Sequence, residues 1–201
     1  MALRLQMKSH TCRDNVSHGS GNDKESRANA KSVIGACDRR GGDGAQVVCL
    51  GASNTRGMGM ANEAAYPVQL EAMLRAKGYR GRVLNSGISG DTTAGMLTRL
   101  DSAVPPDTRV VILQPGGNDL RRRGAGAAER EANIEKILSR LGSRGLQVVM
   151  LQNDMLQAVP NQYRQADGEH LTPEGYRLLA SWLAPKVAPM PDFNSALEKV
   201  E

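Results

Sequence analysis

Residues 46 to 54 read QVVCLGASN, an apolar run of strand length that ends in a tight polar turn. Short runs of this kind, without polar alternation, are typical of strands in a parallel sheet that is covered on both faces. The turn would present Ser53 at the carboxyl edge of the sheet, where a serine can act as a nucleophile if a base removes its proton. Taken alone, the segment fits a plain turn residue or a helix cap equally well.

The same combination of an apolar run and a following helix repeats along the chain. Further strands are predicted at 82–85, 109–113 and 146–151, and helices at 61–77, from about 92, across 125–142 and from 172 onward. Short buried strands that alternate with helices predict a parallel sheet with helices on both faces. In such a sheet, functional groups gather at the carboxyl ends of the strands.

Glycine-rich polar loops follow the second and third predicted strands. In the loop NSGISGDT at 85–92, Gly90 would leave its backbone N–H unshielded, and backbone donors of that kind suit an oxyanion. The loop GGND at 116–119 offers the side-chain amide of Asn118, a neutral donor. Gly, Asn and Asp are also ordinary turn residues, so the two loops fit simple turns as well.

One histidine, His170, lies beyond residue 18, within the run ADGEHLTP at 166–173. Histidine has an ordinary pKa of about 6.5, so it can take and return a proton near neutral pH. Asp167 lies three residues earlier, and Thr172-Pro173 indicates the start of a helix. A lone histidine beside a helix start is more often a cap or a packing residue, so other motifs have to support a catalytic interpretation.

Composition argues against nucleic-acid binding. The formal net charge is +5, and residues 1–44, with 8 Lys/Arg against 5 Asp/Glu, carry +3 of it, so the remainder is nearly neutral. Aromatic residues make up only 3% of the chain, which leaves few platforms for stacking bases. Binding of a nucleic acid through the basic N-terminal segment is therefore the weakest of the hypotheses, and no such partner is expected.

The three cysteines, Cys12, Cys37 and Cys49, form an odd set without the Cys/His spacing of a zinc site. We expect neither a disulfide framework nor a metal or other cofactor, and we interpret Cys49 as a small core residue. No apolar window of about 18 residues occurs, so no transmembrane helix is predicted.

Residues 1–44 are polar and lack apolar periodicity, which is typical of a disordered arm. No signal peptide is recognisable: the run IGAC at 34–37 has no apolar segment before it, and Arg39-Arg40 leads directly into the first strand. A cytoplasmic location is the default expectation. We expect one folded domain at 45–186 and a C-terminal tail at 187–201.

Taken in order, the segments CLGASNTRGMG, LNSGISGDTTAGMLTRL, LQPGGNDL and DGEHLTPEGYRLL resemble the motifs of the SGNH or GDSL hydrolase family. The resemblance covers nearly everything from 46 to 184 and is nearest to the thioesterase I and lysophospholipase-type branch. It implies a three-layer α/β/α, flavodoxin-like fold with a mostly parallel sheet. The family commonly has one more helix and strand before the last motif, but only 14 residues separate Gln152 from Asp167 here, so we expect four strands.

The resemblance also implies a role for each motif. Ser53 would be the nucleophile, His170 its general base and Asp167 the acid that orients the imidazole. The oxyanion hole would consist of the backbone N–H groups of Ser53 and Gly90 and the side-chain amide of Asn118.

The implied activity is that of a serine esterase of the lipase type, which cleaves carboxylic esters, with thioesters as a further class, through an acyl-enzyme. The expected partner is a small acyl ester, and export is implied by the resemblance alone. Asp91 and Asp119 are expected to brace the loops. The family usually has aspartate where this chain has Ala52. That difference and the short connection before Asp167 support the alternative, a catalytically inactive SGNH-like protein that binds an acyl or carbohydrate ligand.

Overall fold

The computed structural model describes residues 45–121 and 126–187. The predicted arm at 1–44 and residues 188–201 of the predicted tail lie outside the described residues. The strands are β1 (Ala45–Gly51), β2 (Arg82–Gly87), β3 (Val110–Gln114) and β4 (Gln147–Met150). The α-helices are α1 (Ser53–Arg56), α2 (Tyr66–Ala76), α3 (Thr93–Thr98), α4 (Leu100–Ala103), α5 (Asn118–Arg121), α6 (Ala127–Ser143), α7 (Asn153–Gln157) and α8 (Pro173–Val187). Short 3-10 turns occupy Asn62–Ala64 and Asn161–Tyr163.

The four strands form a single parallel sheet in the order β2-β1-β3-β4. This is the flavodoxin-like order without a fifth strand, so the expected four-stranded sheet is confirmed for the described residues. The pairing register places Gly51 of β1 between Gly87 of β2 and Gln114 of β3. The carboxyl ends of three neighbouring strands therefore lie side by side.

Alternate side chains of β1 pack into different cores. Val47 and Cys49 belong to a cluster shared with α2 and α8, whereas Val48 and Leu50 belong to a second cluster shared with α3, α4 and α6. All four side chains are fully buried, and burial of one aliphatic side chain contributes about 1.5 to 3 kcal/mol. The sheet thus lies between two helical layers, as the resemblance implies.

The first predicted helix begins later than the sequence suggested. Instead of one helix over 61–77, a 3-10 turn is followed by extended backbone at Ala65, and α2 starts at Tyr66. The cause is Pro67, which has no N–H to donate and whose ring would clash with the carbonyl of a preceding helical turn. Proline is accepted only in the first turn of a helix, where that N–H has no partner in any case.

The connection between β4 and Asp167, predicted as a loop, contains α7 and a 3-10 turn. Leu156 and Val159 of this connection are buried in the cluster that contains α8. Apolar burial therefore holds the shortened connection against the body of the domain. None of the helices in the described ranges has the length and apolar character needed to cross a membrane.

Candidate active site

Ser53 is the first residue of α1, directly after β1, and is partly exposed. As the first residue of the helix, it has a backbone N–H without an acceptor inside α1. Ala52 precedes it, and its carbonyl accepts a hydrogen bond from the N–H of Arg56 at 3.0 Å. Across residues 45–121 and 126–187, the Ser53 hydroxyl forms no hydrogen bond. Both groups are thus available to a substrate at the edge of the sheet.

A buried polar network lies beneath this turn. Oε1 of Gln114 accepts hydrogen bonds from the N–H of Ala52 at 3.0 Å and from the hydroxyl of Thr55 at 3.1 Å. The Thr55 hydroxyl also lies 3.4 Å from the hydroxyl of Tyr66. Burial raises the pKa of Tyr66 well above its usual range, and it raises the pKa of the neighbouring Cys49 thiol to about 12. The network under the turn is therefore uncharged at neutral pH.

The loop after β2 forms a tight turn that contains Gly90. The turn is closed by a hydrogen bond from the N–H of Asp91 to the carbonyl of Ile88 at 3.1 Å, and Gly90 adopts a φ of 77°, which favours glycine. The N–H of Ile88 donates to the carbonyl of Gly51 at 3.0 Å, which fixes the loop to the end of β1. The Asp91 carboxylate accepts a 2.8 Å hydrogen bond from Arg99 Nε, so Asp91 braces this loop.

Asn118 begins α5, after β3. Its Nδ2 donates to the carbonyl of Asp91 at 2.8 Å, which leaves the second hydrogen of the amide for another acceptor. The next residue, Asp119, is almost fully buried and accepts hydrogen bonds from the N–H of Thr93 at 3.1 Å and from its hydroxyl at 2.5 Å. Asp119 therefore braces α5 against the start of α3.

Asp167 and His170 contact each other in the loop before α8. His170 Nδ1 lies 2.5 Å from Oδ2 of Asp167, while Oδ1 accepts the backbone N–H groups of Glu169 at 2.9 Å and His170 at 3.0 Å. These hydrogen bonds, chiefly from His170, hold the pKa of Asp167 well below its usual range. An ionised carboxylate can only accept, so Nδ1 carries the proton of this hydrogen bond, and Nε2 is the ring nitrogen left for another partner.

Three contacts connect this acid-base loop, residues 164–172, to the other loops of the edge. Asn54 Nδ2 donates to the carbonyl of Glu169 at 3.4 Å, and Gln165 Nε2 donates to the carbonyl of Met58 at 2.9 Å. The guanidinium of Arg121 at the end of α5 forms a forked ion pair with the Glu169 carboxylate, at 2.9 and 2.5 Å. The structure thus brings all four sequence-predicted loops to one edge of the sheet.

Sequence reasoning missed the residues that hold these loops in place. Gln114 is nevertheless a polar residue at the end of an otherwise apolar strand, and Arg99 is a charged residue between the apolar residues Met96 and Leu100. Both patterns could have indicated a bracing role. Asn54 has no such signal, because its partner lies 115 residues away in the chain. Within the described ranges, no group of three or more residues suited to hold a metal ion occurs.

Comparisons with known proteins agree with the family resemblance and with the fold. Esterase TesA of Pseudomonas aeruginosa is 30% identical over 106 residues, 52% of each chain. An arylesterase of Vibrio mimicus is 33% identical over 108 residues, 53% of this chain and 54% of the relative. The chain therefore spans about half the length of the curated relatives that it matches. A crystal structure of TesA superposes with a TM-score of 0.63 over 71% of this chain and 98% of that one, at 24% identity, which supports the fold alone.

A family model matches the larger part of the chain. Residues 49–167 match the GDSL-like lipase/acylhydrolase family, a stretch that contains Ser53, Gly90, Asn118 and Asp167 and ends three residues before His170. The resemblance inferred from the sequence is thereby confirmed, and the chain belongs to the GDSL-like lipase/acylhydrolase family.

Proposed function

We propose that this protein is a serine hydrolase of carboxylic esters that works through an acyl-enzyme, and that residues 45–186 form the catalytic domain. The observation that carries the proposal is the hydrogen bond between His170 Nδ1 and the Asp167 carboxylate, in a loop that contacts the turn of Ser53. The names of the two curated relatives, an esterase and an arylesterase, support an ester as the substrate.

In the proposed mechanism, the Ser53 hydroxyl attacks the acyl carbonyl while His170 Nε2 takes its proton. Asp167 keeps the imidazole in the tautomer with the proton on Nδ1 and stabilises the positive charge that forms. Collapse of the tetrahedral intermediate releases the alcohol, which receives the proton from His170. A water molecule, activated by the same histidine, then hydrolyses the acyl-enzyme. A thioester would follow the same course with a thiol as the leaving group.

The oxyanion would be bound by three donors from three loops. These are the backbone N–H groups of Ser53 and Gly90 and the second amide hydrogen of Asn118. All three come from loops at the carboxyl edge of the sheet, and two of these loops are joined by the bond from Asn118 to the Asp91 carbonyl. Loss of one such donor typically costs about 2.7 to 4 kcal/mol of transition-state stabilisation.

Labelling with a fluorophosphonate probe, together with hydrolysis of para-nitrophenyl esters of graded chain length, tests this proposal. We expect the wild type to take the probe and to turn over esters, and Ser53→Ala and His170→Ala to lose both activities. Loss of either residue should lower kcat by a factor on the order of 10⁴ or more. Ser181→Ala is the matched control, because this exposed serine on α8 donates to the carbonyl of Leu178 in its own helix and contacts none of the loops described above.

An unlabelled, inactive wild type that is folded would contradict the proposal. If such a protein still bound an ester in equilibrium dialysis, the inactive ligand-binding alternative would take its place. Hydrolysis that survives in Ser53→Ala would mean that a different residue is the nucleophile.

A further inference from the structure

Gln114 connects two positions on either side of Ser53. It is the last residue of β3, pairs with Gly51 in the sheet, and is only 3% exposed. A single atom, Oε1, accepts the N–H of Ala52, one residue before Ser53, and the hydroxyl of Thr55, two residues after it. The side chain of Gln114 thus holds both ends of the turn that carries Ser53.

The orientation of the Ser53 N–H depends on this contact. That N–H belongs to the peptide between Ala52 and Ser53, so rotation of the Ala52 backbone would swing it away from the edge of the sheet. The hydrogen bond to Gln114 fixes the preceding N–H, and the bond to Thr55 fixes the first turn of α1. The methyl group of Ala52 cannot form a hydrogen bond, and the acceptor comes from the neighbouring strand β3.

No other acceptor can easily replace Gln114 at this position. A Cβ atom placed on Gly51 would lie 2.2 Å from the Thr55 hydroxyl oxygen and 2.9 Å from Gln114 Oε1. A Cβ atom placed on Gly116 would lie 3.0 Å from the Cβ of Ala52. Ala52 and Thr55 are fully buried. Because the space is closed to water, loss of the acceptor would leave the buried N–H of Ala52 unpaired and the Thr55 hydroxyl with only the Tyr66 hydroxyl beside it, which is costly.

We propose that Gln114 is a positioning residue that sets the direction of the Ser53 N–H and hydroxyl without contacting the substrate. This inference rests on the proposed function. The side chain of Gln114, at the end of β3, thus braces the turn, which the methyl group of Ala52 cannot do.

The test compares two substitutions at Gln114. Gln114→Met has a similar length but no oxygen acceptor, whereas Gln114→Glu keeps an acceptor oxygen in either protonation state. We expect Gln114→Met to lower kcat and the rate of fluorophosphonate labelling about 10- to 100-fold with little change in KM, since each unpaired buried donor has a large cost. Gln114→Glu should stay within about fivefold of the wild type.

A second pair of variants keeps the inference testable if Gln114→Met does not fold. Thr55→Val removes one of the two donors at nearly constant volume and should lower kcat less than Gln114→Met, and Thr55→Ser should restore it. Gln69→Met is the matched control, because the Gln69 amide also forms two hydrogen bonds, donating to the carbonyls of Ala64 at 2.7 Å and Pro173 at 3.0 Å. It should lower the melting temperature and leave kcat unchanged.

Two results would overturn the inference while the proposed function stands: a folded Gln114→Met with the kcat of an active wild type, or a Gln114→Glu as impaired as Gln114→Met. A fall in melting temperature without a fall in kcat would likewise assign Gln114 a purely structural role. An inactive wild type would remove the proposed function and this inference with it.

Discussion

The two halves of the candidate site are held in different ways. The turn of Ser53 lies on a buried network in which Thr55, Tyr66 and Gln114 are at most 3% exposed. The acid-base loop lies at the surface: His170 is 7% exposed, but the Asp167 side chain that contacts it is 45% exposed. Buried hydrogen bonds are costly to break, whereas exposed ones compete with water and salt.

This difference matters for the proposed chemistry. The nucleophile and the oxyanion donors need a fixed geometry, because donors aimed at the developing charge lose their effect when they are displaced. The histidine must exchange protons with both Ser53 and a leaving group, and its largely buried imidazole lies in a loop whose aspartate faces solvent. We therefore expect substitutions of the bracing groups beneath Ser53 to have larger effects than substitutions of the bracing groups around the acid-base loop.

Among the effects expected from this comparison, the largest concerns the thiol of Cys49, which tests whether the network beneath Ser53 is closed to water. Burial raises its pKa from 9.0 to about 12, so at any pH below 9 the reactive thiolate should be about a thousandfold scarcer than in the unfolded chain. In a Cys12→Ser/Cys37→Ser background, iodoacetamide should label Cys49 at least about a thousandfold more slowly in buffer than in denaturing urea. Equal rates would mean that water reaches the network.

The second prediction compares one glycine from each half. A Cβ on Gly87, beneath the turn, would lie 2.3 Å from the backbone nitrogen of Arg56, whereas a Cβ on Gly168, in the acid-base loop, would meet nothing within 4 Å. Gly87→Ala should lower the free energy of unfolding by about 3 kcal/mol through this clash. Gly168 has a φ of 73°, so Gly168→Ala should cost about 1 kcal/mol through backbone strain alone.

Urea denaturation of both variants measures this difference. If the two substitutions had equal effects, or if Gly168→Ala were the more harmful, the backbone beneath Ser53 would be no more constrained than the exposed loop.

The sequence alone predicts where the strands lie and which four loops carry the polar motifs, because both depend on local patterns. The run QVVCLGASN contains a buried strand and its turn within nine residues, and the D-x-x-H spacing suffices for Asp167 to reach the Nδ1 of His170. The roles proposed for Ser53, Gly90 and Asn118 remain predictions. The predicted start of α2 is wrong by several residues, because Pro67 confines the helix start to its own first turn despite the apolar periodicity around it.

The bracing contacts could not be predicted, because they join residues that are distant in the chain. Gln114 and Ala52 are 62 residues apart, and Arg121 and Glu169 are 48 apart. Such pairs follow from the order of strands in the sheet and from the lengths of side chains, which no local pattern encodes. A single sequence therefore predicts the candidate catalytic residues more readily than the residues that hold them in position.

The smallest expected effect concerns the ion pair between Arg121 and Glu169. Its forked geometry is favourable, but the two side chains are 61% and 48% exposed, which weakens the attraction. A double-mutant cycle with Arg121→Met and Glu169→Gln, measured on kcat/KM for a neutral ester, should therefore give a coupling free energy of about 0.5 to 1 kcal/mol. About 1 M NaCl should abolish it, because the screening length then falls to about 3 Å. The matched control is the pair of Arg140 and Asp101, which joins α6 to α4 with comparable exposure.

The control pair shows whether the effect on kcat/KM depends on where the ion pair lies or merely on the loss of two charges. The cycle with Arg140→Met and Asp101→Asn should give a similar coupling in the free energy of unfolding and none in kcat/KM, since neither residue contacts a loop of the site. If the Arg121–Glu169 coupling exceeded about 2 kcal/mol and survived high salt, the ion pair would behave as a buried one. The acid-base loop would then be as firmly held as the turn of Ser53, and the contrast between the two halves would not hold.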